Sequence, residues 1–317
     1  MNKFNTPIIF LIFKRKKETS LVFEEIRKIK PSKLFIVADG PRNEEEKILS
    51  SETRKIVDKI DWECEIYRNY SDINLGCRER VISGINWAFE KIDRAIILED
   101  DCLPNQDFFR FSEEMLEKYK DNENIMHIGG SNFQDNNKEF INSIKGDSYY
   151  FSNIAQIWGW ATWKKAWNKY DSNMITWEKI KDKKDFIKHF PNKYIYQYWK
   201  YFFEKMHRNE FDTWDIAWTY TCFKENGLCI MPKVNLIENT GSDASTATHK
   251  SNNLTHIKTS ALIFPLTHPN IIKENRIADK YTYKRVYGVN TNIRNVLKSY
   301  MKHYLPSLFE KIKSFMK

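Results

Sequence analysis

The chain has 317 residues, 41% of them hydrophobic and 15% aromatic, and its 51 Lys and Arg against 42 Asp and Glu give a formal charge of +9. Those proportions exclude a disordered or fibrous chain and leave ample length for one large packed domain or two modest ones. No stretch approaches the roughly 18 apolar residues of a spanning helix, and the odd set Cys64, Cys77, Cys102, Cys222 and Cys229 has no metal-type spacing, so a reduced compartment is expected.

Taken in order, the first apolar run is PIIFLIF, Pro7–Phe13, which predicts a buried strand. It is shorter than a signal-peptide core with its flanks and no small-residue cleavage site follows, so a cytoplasmic location is expected. Leu21, Val22, Ile26 and Ile29 recur at helical spacing within Glu18–Ile29. KLFIVADG (Lys33–Gly40) predicts a second strand ending in an acid and a glycine, and Glu44–Ile60 a second helix. A short strand in ECEIYRN, a helix over Arg78–Lys91 and a strand over Arg94–Leu98 complete the first third. Strands alternating with helices predict a mixed, mainly parallel α/β sheet with helices on both faces. In such sheets ligands bind beyond the carboxyl ends of the strands, where Asp39, Asn69 and Glu99–Asp101 fall.

From about residue 104 to 260 the alternation fades, and this half holds eight of the ten tryptophans, several in QIWGWATWKKAW and FDTWDIAW. ENTGSDASTATHKSNN, Glu238–Asn253, reads as a loop of small polar residues. Over Asn292–Lys317 a stripe from Val296 to Ile312 is apolar, with six Lys or Arg against the single acid Glu310, and Pro306 divides it. That segment suits either a basic amphipathic helix lying on an anionic inner-membrane surface or a helix docked on the domain with its lysines in water.

The chemistry concentrates in RAIILEDDCLP, where an apolar strand runs into Glu99, Asp100 and Asp101. Adjacent carboxylates repel unless a cation joins them, and oxygen ligands suit Mg²⁺ or Mn²⁺. The basic run KRKKET that follows the first strand has no glycine, so neither a dinucleotide fingerprint nor a P-loop is present.

AIILEDDCLPNQDFF resembles the acidic metal motif of the GT-A glycosyltransferases, nearest to the N-acetylglucosaminyltransferase I type and the bacterial family 2-like transferases. FIVADGPRNEEE, SDINLGCRERVISGINWAF, YYFSNIAQIWGWATWKKAW and FDTWDIAW resemble further segments of that family in the same order, over most of residues 7–260. The resemblance implies a GT-A domain over residues 1–260, divided into a nucleotide-sugar half (1–103) and an acceptor-side half (104–260), with residues 261–317 as a basic helical appendage. It implies an inverting hexosyltransferase that moves a sugar from a nucleotide-diphosphate donor to a glycan or lipid-linked acceptor in surface polysaccharide or lipopolysaccharide synthesis. Carried onto this sequence, Asp101 would bind Mn²⁺ or Mg²⁺, Asp100 would lie on the ribose side and Glu99 nearer the donor sugar. Arg15 and Asp39 would lie at the base, Arg80 at the nucleotide, and Trp158, Gly159 and Trp160 on the acceptor side. Asp215 would be the general base, although the family has two adjacent acids after the Trp and here Ile216 follows. Asp215 could equally cap the helix that begins with IAWTYTCF. His249, in the polar loop, is a candidate metal or phosphate contact or an ordinary surface histidine.

Two other functions fit the same residues in part. A nucleotidyltransferase making nucleotide sugars would share the sheet and the acids, but ordinarily carries the glycine-rich loop that IFKRKKET lacks. A non-catalytic membrane- or nucleic-acid-binding protein would account for the charge but not for three acids closing a buried strand; nucleic acid is not an expected partner.

Overall fold

The computed structural model describes residues 4–241 and 257–289. The N-terminal elements are β1 (Ile8–Ile12), α1 (Lys16–Ile29), β2 (Lys33–Ala38), α2 (Glu44–Arg54), β3 (Glu65–Tyr70), α3 (Gly76–Phe89) and β4 (Arg94–Glu99). There follow β5 (Cys102–Pro104), α4 (Gln106–Lys118), β6 (Ile125–Gly129), α5 (Lys138–Ser143), β7 (Tyr149–Ser152), β8 (Trp160–Trp163) and the short helices α6 (Lys164–Trp167), α7 (Trp177–Ile180) and α8 (Lys184–Ile187). The chain then forms α9 (Lys193–His207), α10 (Asp215–Lys224), β9 (Leu228–Pro232), β10 (Ile237–Asn239) and α11 (Arg276–Arg285).

Eight strands form one mixed sheet in the order β3-β2-β1-β4-β8-β6-β9-β7, and β10 pairs with β5 in a second small sheet. β3, β2, β1 and β4 are mutually parallel, as the unbroken apolar runs predict. β1 shows why. Its five residues are all buried, and they alternate between two cores: Ile8, Phe10 and Ile12 on one face, Ile9 and Leu11 on the other. The first core is closed by Val22, Phe23 and Ile26 of α1 with Phe108, Phe109 and Met115 of α4, the second by Val81 and Ile85 of α3 with Trp218 of α10. A third, aromatic core joins Trp177, Phe186, Trp199, Phe203 and Tyr220 beside the sheet.

The acceptor-side half does not stand apart. β8 pairs antiparallel with β4 and β6, so both halves share one continuous sheet. Leu262 and Leu266 pack into the first core, Ala278 into the second and Tyr283 into the third, so the packed body continues past residue 260. The amphipathic segment Asn292–Lys317 lies outside the described residues, among which no helix is long and apolar enough to cross a membrane.

Several helix limits differ from expectation, α1 beginning at Lys16 and α3 ending at Phe89 among them, and two of the differences have a visible cause. α2 stops at Arg54 instead of Ile60, because the turn that follows delivers Ile56 and Val57 to the core while Arg54 donates to the carbonyls of Asp39 and Ser71. α3 starts two residues early, at Gly76, because carboxylates from elsewhere in the chain satisfy its first amides.

Candidate functional site

From β1 the chain crosses to β2 and then β3 on one side, but β4 lies on the other side of β1. The sheet order therefore reverses between β1 and β4, and beyond the strand ends at such a switch point sheets of this kind ordinarily form their ligand crevice. Arg15 follows β1 and Glu99–Asp101 end β4, so both flank that crevice.

The structure brings them into contact. One terminal nitrogen of Arg15 donates to Asp100 Oδ1 at 2.9 Å and to Asp101 Oδ2 at 2.8 Å, and the amide of Phe13 donates to Asp100 Oδ2 at 3.1 Å. Burial opposes the Arg15 charge, but Asp100 and Asp101 outweigh it and hold the guanidinium above its ordinary value. Three consecutive carboxylates still face this one guanidinium. Burial, then repulsion from Asp101 and Asp100, pushes Glu99 up; burial and Asp101 push Asp100 up against the opposing pull of Arg15. Burial and mutual repulsion thus push these carboxyls toward their protonated forms despite Arg15, and an added cation would oppose that push. The carbonyl of Asp101 accepts from the Thr240 amide, and a side chain at Gly241 would meet Asp101 Oδ2 at 2.1 Å, so glycine lets the two residues after β10 lie against Asp101.

Asp215 belongs to the same crevice. It opens α10, half-buried, and its charge raises Glu99 and the thiol of Cys77. Its Oδ1 accepts from the Thr213 hydroxyl, and it caps no backbone amide; the expected capping role is absent because Trp214 is the N-cap residue. Cys77 is exposed on the cleft wall, yet the atoms around it and the charges of Glu99, Asp215 and Asp212 push its thiol up and keep it protonated.

Asp39 departs from its expected contact with a base. It is 6% exposed, and its two oxygens accept from the amides of Gly40, Leu75 and Gly76 and from Asn74 Nδ2. Those four bonds fill a carboxylate's acceptor capacity, so Asp39 pins the α3 entry to β2. Asp212 completes the job by accepting from the amides of Cys77 and Arg78. The α3 N-terminus, an obvious phosphate cradle, is thereby closed by protein carboxylates. Arg80 is also buried; it donates to the carbonyl and side chain of Asn69, and burial lowers its pKa. It sits at the Asp39 end of the crevice, within the reach of that carboxylate's charge.

The expected acceptor platform is corrected most clearly. Trp160 is 1% exposed, with His127 stacked at 5.2 Å on one neighbouring plane and Trp214 stacked at 5.2 Å on another. Both ring planes are thus parallel to covered neighbours, and no sugar can lie on the indole. Burial lowers the His127 pKa to about 4, and the neutral ring accepts from Trp218 Nε1 and donates to the Gln156 carbonyl. Gly159 turns the chain at φ +59°, where a side chain would meet Ile237 at 2.5 Å, so the residue serves packing. Trp158 is partly buried against the first core and edge-on to Phe133. His249 lies outside the described residues.

Neither a family model nor a curated protein matches the chain. Among solved structures it is similar to 4-diphosphocytidyl-2C-methyl-D-erythritol synthase from Anaerococcus prevotii DSM 20548, with 10% identity over 72% of this chain and 88% of that one and a TM-score of 0.34. UDP-glucose pyrophosphorylase complexed with UDP-glucose is a second, with 10% identity over 48% and 63% of the two chains and a TM-score of 0.28. At these values neither says what this chain binds.

A divalent cation fits the residues present. The donors are carboxylate oxygens, the cluster is short of positive charge, and such ions take one or two protein carboxylates when substrate phosphates supply other ligands. Among the described residues no group of three His, Cys, Asp or Glu side chains is placed to hold a metal ion by itself, so substrate oxygens would have to complete the coordination. Sequence reading missed two partners here. Arg15 is the counter-ion of the acids, which its position directly after β1 could have suggested, and Asp212 is an N-terminal lock on α3 that only the folded chain reveals.

Proposed function

We propose that the chain transfers a sugar, with inversion, from a nucleotide-diphosphate donor to a hydroxyl of a glycan or lipid-linked acceptor. The observation that carries this reading is the Glu99–Asp100–Asp101 cluster at the switch point of the sheet, three acids to the one guanidinium of Arg15, with the separate carboxylate of Asp215 close enough for its charge to raise Glu99. Asp101, with Glu99 beside it, would hold Mn²⁺ or Mg²⁺ against the donor diphosphate, where the ion supplies charge neutralisation to the leaving group.

The chain's own residues do the rest. Asp215 accepts the proton of the acceptor hydroxyl as that oxygen bonds to the anomeric carbon. The bond from that carbon to the diphosphate breaks, and its electron pair leaves with the nucleoside diphosphate. Thr213 fixes Asp215 Oδ1, which directs the other oxygen to the acceptor. General-base help of this kind contributes roughly 10²–10⁴ in rate. Arg15 keeps Asp100 and Asp101 together before the donor arrives.

The basic run Lys14–Lys17 beside the crevice favours a second reading, a nucleotidyltransferase that binds a nucleoside triphosphate. The two are separated by their products. Incubation with a panel of nucleotide sugars and Mn²⁺ should release nucleoside diphosphate, and Asp215→Asn should slow release by roughly 10²-fold or more. Pyrophosphate release from a nucleoside triphosphate and a sugar phosphate, with no nucleoside diphosphate from any nucleotide sugar, would transfer the assignment to the second reading.

A further inference from the structure

We infer that the half-buried aromatic face of Tyr198, Phe202, Phe211 and Tyr287 is a binding site for a neutral sugar ring, the acceptor's. The inference rests on the transfer reading above for the word acceptor, but the surface itself is read from its own geometry.

Tyr198 and Phe202 lie one helical turn apart on α9 and share a face. Their ring centroids are 4.8 Å apart, Tyr198 is 5.7 Å from Tyr287, and Phe202 lies nearly parallel to Phe211 at 6.0 Å. The other side of α9 is different: Ile195, Trp199, Phe203 and Met206 are buried in the third core. Phe202 packs into none of the three cores, while the other three rings only border the third. A continuous set of partly exposed rings therefore extends from α9 to Tyr287, two residues past α11.

Asp215 lies within electrostatic reach of this set. The carboxylate's charge reaches both Tyr198 and Tyr287, and Phe211 begins the short segment that leads into it. The hydroxyls of Tyr198 and Tyr287 have no hydrogen-bond partner among the described residues, and neither is sealed in the interior as the Tyr283 hydroxyl is. Sugars demand this combination. The C–H face of a pyranose lies on an aromatic ring, while its hydroxyls need donors and a carboxylate within reach. Here four rings adjoin one another, two of them carry unpartnered hydroxyls, and the charge of Asp215 reaches those two.

Charge selects among sugars. Lys205 borders Phe211 but is tied to Glu210 at 2.9 Å, whereas the charge of Asp215 reaches Tyr198 and Tyr287. A uronic or other acidic sugar would be repelled, and a neutral hexose or N-acetylhexosamine accepted.

Saturation-transfer NMR on the full chain, with the methyl β-glycosides of glucose, galactose, N-acetylglucosamine and glucuronic acid, tests the site. At least one neutral glycoside should receive saturation at its ring protons, with less or none reaching the glucuronide. Phe202→Ser should weaken that binding about three- to tenfold, the value of one lost ring contact. Phe202→Leu keeps apolar packing and should weaken it similarly, which guards against a Ser variant that fails to fold. Absence of contact with every neutral glycoside in the wild type, or unchanged binding in a folded Phe202→Leu, overturns the inference. Melting the same samples with nucleoside diphosphates keeps the two claims apart. Nucleotide stabilisation without glycoside contact sinks the aromatic site alone, and glycoside contact without nucleotide stabilisation upholds the sugar site and sinks the transfer reading.

Discussion

Arg15 holds Asp100 and Asp101 through a single terminal nitrogen, so the pairing lacks the two parallel bonds of a forked Arg–carboxylate contact. It satisfies part of the charge and leaves Glu99 to burial and repulsion. Removing the guanidinium would strand two recessed carboxylates. Arg15→Met should therefore destabilise the chain at neutral pH, near the low end of the roughly 3–5 kcal/mol of a broken buried pair because Arg15 is partly exposed. Added Mn²⁺ should raise the melting temperature of Arg15→Met more than that of the wild type, since the ion takes the place of the lost cation. Equal Mn²⁺ responses in the two proteins, measured by thermal melting, would mean the acids are not a cation site.

At the level of elements, the strands that were legible in the sequence are those whose pattern follows from local burial. β1, β2 and β4 are short unbroken apolar runs, and each strand lies where its run does. The WGW segment was not legible, because tryptophan density is the same for a sugar platform and a packed core. Only the antiparallel insertion of β8 between β4 and β6 decides it, placing Trp160 between His127 and Trp214. The residues drawn together at the crevice share strand ends, which periodicity can find. Asp39 and Asp212 meet α3 from residues far apart in sequence, which it cannot.

α11 carries a titration of its own. Asp279 is buried against β7, where Ser152 and the Asn153 amide donate to it, yet burial prevails and pushes its pKa up to about 7. The folded state thus binds the proton more tightly than the unfolded chain, whose aspartates titrate near 3.9. The contribution is fully present below the unfolded value and is lost as pH rises through about 7. Asp279→Asn should remove that loss, so that the difference in unfolding free energy between variant and wild type grows in the variant's favour from pH 5 to pH 8.5, by on the order of a few kcal/mol. A pH-independent difference would show that Asp279 keeps its ordinary acidity.

For the molecule as a whole, a basic chain of +9 carries an acid-lined crevice at the one place where its parallel strands reverse order. A phosphate drawn to such an inversion of charge would have to arrive with a divalent ion. The sheet runs unbroken through both halves of the chain, which holds them on one body. The measurement that bears most directly on this account is a thermal-shift series of nucleoside diphosphates, with and without Mn²⁺, on the wild type and Asp101→Ala. A ligand that binds only the folded state raises its melting temperature, by about 2.7 kcal/mol of stability at a hundredfold excess over its Kd. The account predicts stabilisation by one family of nucleotides that requires Mn²⁺ and disappears in Asp101→Ala. Stabilisation without the metal, or equal stabilisation in the variant, would contradict it.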